Sequence, residues 1–280
     1  MAKVILFSYT PNLERVCAAA MRSCYSPYPA YELYTYTKDS GKVLEEEPSY
    51  LDDERVKALI KKALRLGHHD VLEHGSLTYD IQEASRVLTH QLVRHRLASF
   101  SQQSQRYVKV TKSFGYVRPP EILSEERVAV HIKGKTIDLS FEDLVDITKQ
   151  MEEGYLRLKK KAEDARFIRI AGATTNIVIT ANPREFRHIF NLRCARDAQW
   201  EIQDVAYAML ATAKLVAPNI FSTLPIAEKD KYVKEKLEKL DRILNEVRPK
   251  FLKTKSGELM EVPLDELKLH HKVRSFIHVL

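Results

Sequence analysis

Three arginines, a histidine, three serines and three glutamines fall within the fourteen residues Arg94-His95-Arg96-Leu97-Ala98-Ser99-Phe100-Ser101-Gln102-Gln103-Ser104-Gln105-Arg106-Tyr107, and no acid is among them. Guanidinium, hydroxyl and amide groups donate hydrogen bonds to phosphate oxygens and to the polar edge of a planar heterocycle. An acid-free polar run directly behind an apolar segment predicts an anion site. Residues 82–96 are expected to be helical, with Ala84, Leu88, Gln91 and His95 on one face. Gln91 and Arg94 share a face, whereas consecutive helical residues point about 100° apart. On that geometry Arg94, His95 and Arg96 diverge, toward parts of one long ligand or toward different ligands or subunits. A basic helix end favoured by the macrodipole accounts for 94–96, but not for Ser104 and Arg106 beyond them.

A second polar stretch runs from Asn182 through Pro183, Arg184, Glu185, Phe186, Arg187 and His188 to Arg193. Helical spacing sets Arg184 and His188 on one face and Phe186 and Phe190 on another, the pattern of an ordinary amphipathic helix. A third, Gly67-His68-His69-Asp70-Val71-Leu72-Glu73-His74, holds three histidines and two acids. Its spacing is neither HExxH nor HxxEH, so no metal is expected there.

The elements that must position these groups read as follows. Residues 3–9 form a strand and 12–21 a short helix. An amphipathic helix over 52–66 stops at Gly67. Residues 74–81 form a strand, 105–110 a returning strand, and 114–139 a loop with short strands. Ser140 caps a long helix, with Asp143 at the capping-box position and a buried stripe of Leu144, Ile147, Met151, Tyr155 and Leu158. Residues 174–181 are β-rich, Pro183 opens a helix, and a long helix covers 197–216. From Ile226 to Val247, Val233, Leu237, Leu240, Leu244 and Val247 recur at heptad-like spacing, which predicts a helix packed on the core or on a neighbouring subunit. A hairpin is expected about Ser256-Gly257. Without strict βαβ alternation, this is an α+β pattern. We expect one domain over residues 1–225 and a helical and hairpin extension over 226–280.

The chain has 280 residues, a net charge of +7 and only eight glycines. Basic balance favours anionic partners, yet neither GxGxxG nor GxxxxGK[ST] occurs, so a dinucleotide would have to be held by side chains. Cys17, Cys24 and Cys194 form no CxxC pair and no nucleophile motif. With no signal-like or membrane-length apolar run, a cytoplasmic location and no membrane partner are expected.

The residues resemble the flavin-dependent thymidylate synthases. The family signature, RHR followed after seven residues by SxRY, is matched by Arg94-His95-Arg96, Ser104, Arg106 and Tyr107. The similarity extends to Gly67–His74, to Asn182, Arg184 and Arg193, and to Ala198-Gln199-Trp200-Glu201-Ile202, covering roughly residues 1–222. It implies a homotetramer with FAD held between subunits, and transfer of a one-carbon unit from methylenetetrahydrofolate to dUMP with electrons from NADPH. It further implies flavin contacts from Asp70, Arg94, His95, Arg96, Gln102, Asn182, Arg184 and His188. The dUMP contacts implied are Gln91, Arg94, Gln102, Gln103, Ser104, Gln105, Arg106, Arg166 and Arg193, and Arg193 would polarise the uracil. Three positions depart from the family pattern. Asp70 stands where Ser or Thr is usual, His188 where many relatives have Asn, and Arg169-Ile170 where Leu-Pro commonly follows the matched arginine. A nucleic-acid-binding protein is the rival from another class. Against it, Ser and Gln interrupt the arginines and neither long helix carries a one-sided basic stripe, so no nucleic-acid partner is expected.

Overall fold

The computed structural model describes residues 2–35, 51–108 and 115–280. Helices and a mixed sheet make an α+β architecture. In chain order the elements are β1 (Lys3–Tyr9), α1 (Leu13–Ser23), α2 (Ala30–Thr35), α3 (Asp53–Leu66), β2 (Leu77–Ser85), α4 (Arg86–Leu92), β3 (Ala98–Gln102), β4 (Val128–Ile132) and β5 (Lys135–Leu139). They continue as α5 (Phe141–Arg157), α6 (Ala162–Ala165), β6 (Thr174–Ala181), α7 (Pro183–Arg193), α8 (Trp200–Val216), α9 (Pro225–Lys229), α10 (Lys231–Phe251), β7 (Leu259–Val262) and β8 (Arg274–His278).

Six strands form one sheet in the order β3-β6-β2-β1-β8-β7, antiparallel throughout except for the parallel β1–β8 pair; β4 and β5 form a separate hairpin. Against the sheet lies α8, whose residues from Glu201 to Leu215 are all buried. A helix apolar around its circumference has no solvent face and must occupy the core. Its polar residues each find a partner. Glu201 accepts from the Ser85 backbone N–H at 2.8 Å and from the Ser85 hydroxyl. Asp204 accepts from the N–H groups of His270 (3.1 Å) and His271 (2.7 Å), and Lys214 meets Asp241 at 2.6 Å.

Local chemistry explains the ends of several elements. Asp52 caps α3 through the Arg55 N–H at 2.9 Å, and Gly67 ends the helix at φ 76°, in the left-handed region that favours glycine. Ser140 and Asp143 form a complete capping box at α5. Pro183 occupies the first turn of α7, where its missing N–H costs no hydrogen bond.

Other expectations are corrected. The helix over 82–96 does not form: β2 continues to Ser85 past an irregularity between Ile81 and Ala84, and α4 then runs only to Leu92. Of the strand expected over 105–110, residues 105–108 are not strand. The strand lies earlier, at β3, residues 105–107 are a turn, and 109 and 110 lie outside the described residues. On α5 the stripe of Leu144, Ile147, Met151, Tyr155 and Leu158 is exposed in the single chain, while Val145 and Glu152 are buried. The long C-terminal helix breaks at Asp230 into α9 and α10. Val233, Leu237, Leu240, Leu244 and Val247 of α10 are buried, and α10 packs on α8 of its own chain. No hairpin turns at Ser256-Gly257; β7 and β8 pair across residues 263–273. Lys236 holds that connection by donating to the carbonyls of Leu267 and Lys268.

Candidate active site

A cavity of about 750 Å³ opens where α4 ends and α7 begins. Arg94, His95, Arg96 and Leu97 enter it from the turn between α4 and β3, and Asn182, Arg184, Glu185, His188 and Arg193 from α7 and its cap. His69 and Glu73 come from the short 3-10 helix His69–Glu73, and Pro225 closes one wall. Of the alternatives left open for Arg94, His95 and Arg96, a single shared cavity fits the one in which they reach different parts of one long ligand. The chain leaves helical geometry after Leu92, and all three residues line one cavity.

The centre of the cavity is a hydrogen-bonded pair. Arg193 Nε donates to His95 Nε2 at 3.0 Å, and Arg193 Nη2 donates to the Gln91 carbonyl at 3.3 Å. Accepting from a guanidinium requires a lone pair on Nε2, so His95 is neutral with its proton on Nδ1. Its surroundings agree: burial, then the Arg193 charge and His188, push its pKa down from 6.5 to about 4. The 3.7 Å approach of Glu185 to His95 Nδ1 is therefore a contact with a neutral ring and not an ion pair. His188 meets His95 edge to face, with centroids 5.7 Å apart.

Other groups are braced or left open. The Asn182 carbonyl oxygen caps α7 through the Glu185 N–H at 2.9 Å, which leaves its amide donors available. Arg184 pairs with Glu73 at 2.6 Å, both about half exposed. Arg187 is tied to the carbonyls of Ile220 and Thr223, and burial lowers its pKa to about 10. The guanidinium groups of Arg94 and Arg96 make no hydrogen bond or ion pair with the described residues. Five arginines against two carboxylates line a space fit for a multiply charged anion.

The remaining sequence-derived residues lie elsewhere in the chain. Gln102 ends β3 and donates to Thr89 at 2.9 Å. Gln103, Ser104 and Gln105 line a narrow crevice with Arg169, Thr174 and Thr175. Ser104 accepts from the Arg106 backbone N–H at 3.2 Å, and the Arg106 guanidinium meets Glu163 at 2.7 Å. Arg166 donates from Nε to the Glu163 carbonyl at 3.3 Å. Asp70 is exposed and does not line the cavity, although His69 beside it does. Sequence reasoning missed Glu73, Glu185 and Arg86. Glu185 was legible as the fourth residue of an Asn-x-x-Glu pattern. The Arg86 guanidinium has no partner among the described residues, and burial together with the charges of Arg166 and Arg169 lowers its pKa.

The two groups of residues flank one pair of strands. Ala98 pairs with Ala181 beside the cavity, and Gln102 pairs with Ile177 near the crevice. Five strand residues carry the chain roughly 17 Å.

The protein is thus an α+β fold with an arginine-lined cavity at the end of its sheet. Residues 5–219 match the family described as thymidylate synthase complementing protein, and the chain belongs to that family. It is 40% identical over 226 residues to a flavin-dependent thymidylate synthase of Clostridium tetani, covering 78% of this chain and 85% of the relative. To the enzyme of the same name from Geobacter sulfurreducens it is 38% identical over 220 residues, covering 78% and 85%. Its fold is similar to that of a UMP/dUMP methylase PolB from Streptomyces cacaoi, bound with 5-Br dUMP. That match has a TM-score of 0.59 at 21% identity and covers 79% of this chain and 94% of the other. Among the described residues no helix is long and apolar enough to cross a membrane.

Proposed function

We propose that this protein converts dUMP to dTMP, taking the one-carbon unit from methylenetetrahydrofolate and the electrons from NADPH, with FAD as mediator. The observation that carries the proposal is the Arg193–His95–Gln91 arrangement at the centre of a donor-lined cavity, in a chain whose relatives are named for this activity. The donor set suits FAD: Arg94, Arg96 and Arg184 match a diphosphate, and the amide of Asn182 and the His188 ring match the acceptor edge of an isoalloxazine. When bound, the flavin supplies the redox and one-carbon transfer chemistry.

The side chains bind, orient and stabilise charge. Two of the five N–H groups of Arg193 are spent on His95 and Gln91, and three remain for a ligand. Held this way, the guanidinium stabilises the negative charge that develops on the uracil ring as C5 becomes nucleophilic. Ser104, Arg106 and Arg166, with Gln91, Gln102, Gln103 and Gln105, supply contacts for the nucleotide and its phosphate.

The assembly proposed is a homotetramer with each active site shared between subunits. Two features support it. The strand β3 separates the Arg94–Arg193 cavity from the Gln103–Arg106 turn by more than a compact nucleotide spans. The apolar stripe of α5 is also exposed in the isolated chain, and such a stripe calls for a partner surface. The test is direct: purified protein should be yellow, and dUMP should stimulate its NADPH oxidation with formation of dTMP. Colourless protein that cannot be reconstituted with FAD and binds DNA with a steep salt dependence would overturn the reading.

A further inference from the structure

An Asn-x-x-Glu start to a helix ordinarily closes a capping box, with the carboxylate reaching back to the N–H of the cap residue. At α5, Asp143 does this, accepting from the Ser140 N–H at 2.8 Å. At α7 only half of the box forms. Asn182 accepts from the Glu185 N–H, but the Glu185 carboxylate does not return. It turns into the cavity instead, 5% exposed, and accepts no hydrogen bond from the described residues. Its Oε1 lies 3.7 Å from His95 Nδ1, and burial raises its pKa against the opposing influence of His188. Buried carboxylates are normally satisfied by donors, and one left short of them destabilises the fold. The placement therefore serves the site more than the helix.

We propose that Glu185 is a positioning residue that fixes the tautomer of His95 and, through it, the direction in which Arg193 presents its free N–H groups. The inference rests on the role assigned to Arg193 under the proposed function. A neutral imidazole has one N–H and one lone pair. A carboxylate facing Nδ1 draws the proton to that nitrogen, which leaves Nε2 as the acceptor for Arg193 Nε. The array is then carboxylate, Nδ1–H, Nε2 lone pair and Nε–H of the guanidinium, every donor facing an acceptor. With the carboxylate removed, His95 can carry its proton on Nε2. Two N–H groups then oppose each other across 3.0 Å, and Arg193 must turn away.

Two variants test this against the wild type. Glu185→Leu removes the acceptor at similar volume, whereas Glu185→Gln keeps an oxygen that can accept from Nδ1–H. In crystal structures, Glu185→Leu is expected to lose the Arg193–His95 hydrogen bond and Glu185→Gln to keep it. In turnover, Glu185→Leu should lower kcat for dTMP formation at least tenfold, with KM for dUMP and bound flavin within twofold of wild type. Glu185→Gln should retain most of kcat. A Glu185→Leu structure with the bond intact, or a wild-type kcat in that variant, overturns the assignment. Wild-type protein that makes no dTMP would refute the proposed reaction, while the structures alone would still decide the role of Glu185 in orienting Arg193.

Discussion

Two donor-rich regions lie at opposite ends of the β3–β6 pair, and they are built differently. Around Arg193 the groups brace one another: Arg193 on His95, Asn182 on the backbone of α7, Arg187 on Ile220 and Thr223. Around Ser104 the donors outnumber their partners. Arg106 and Arg166 share the single residue Glu163, Arg169 is consumed by a buried pair with Glu152 at 2.6 Å, and the Arg86 guanidinium has no partner among the described residues. The first region sets braced groups beside the open guanidiniums of Arg94 and Arg96 in one cavity, and the second spreads its donors around a narrow crevice. Under the proposed function the second is completed by dUMP held by a neighbouring subunit.

The strongest way to break the comparison is to empty the braced side. Arg193→Ala should retain flavin but lose about 10²–10³ in kcat, the size typical of removing one charge-stabilising donor; normal dTMP formation would refute its role. On the open side, Arg106→Ala removes one charge-assisted contact, about 1.5–3 kcal/mol. It should therefore raise KM for dUMP tenfold or more while leaving flavin bound, and an unchanged KM would sever that turn from the substrate. Glu201→Ala tests the support beneath both regions, because Glu201 holds the cap of α4 at Ser85. Leaving those buried donors unpaired should cost about 1–3 kcal/mol, seen as a lower Tm with kcat affected less than in Arg193→Ala.

The smallest effect is a pH dependence specific to the braced side. His95 is neutral in the folded protein, with its pKa near 4 against 6.5 when unfolded. Between those values the unfolded chain binds the extra proton, so this contribution to stability falls as pH drops from 6.5 toward 4. The Tm difference between wild type and His95→Asn should accordingly widen as pH rises across that window; a flat difference would mean that His95 is not neutral in the folded state.

Capping chemistry made much of the fold legible. Asp52 with Gly67, Ser140 with Asp143, and Pro183 each marked a helix end through groups that act within a few residues. What could not be read depended on distant partners. A bulged strand and a short helix look like one amphipathic helix over 82–96, because Glu201, 116 residues beyond Ser85, and β6 decide where β2 ends. The α5 stripe was legible as apolar, but periodicity says nothing of what covers it. The cavity-lining residues Arg94, His95, Arg96, Asn182, Arg184, His188 and Arg193 were legible by type and by family resemblance. Glu185 escaped because its spacing already had a local explanation that the fold declines to use.

The central claim is that the two regions form one active site only when contributed by different subunits, and mixed assembly tests it most directly. Arg193→Ala, impaired in kcat, and Arg106→Ala, impaired in KM for dUMP, are co-expressed with different tags, and the doubly tagged complexes are isolated and assayed at dUMP well below the raised KM, where each variant alone is slow. If each site draws one region from each of two subunits, random assembly restores about a quarter of the sites to wild type, and dTMP formation returns. Doubly tagged complexes that stay as slow as the separate variants would contradict a shared site.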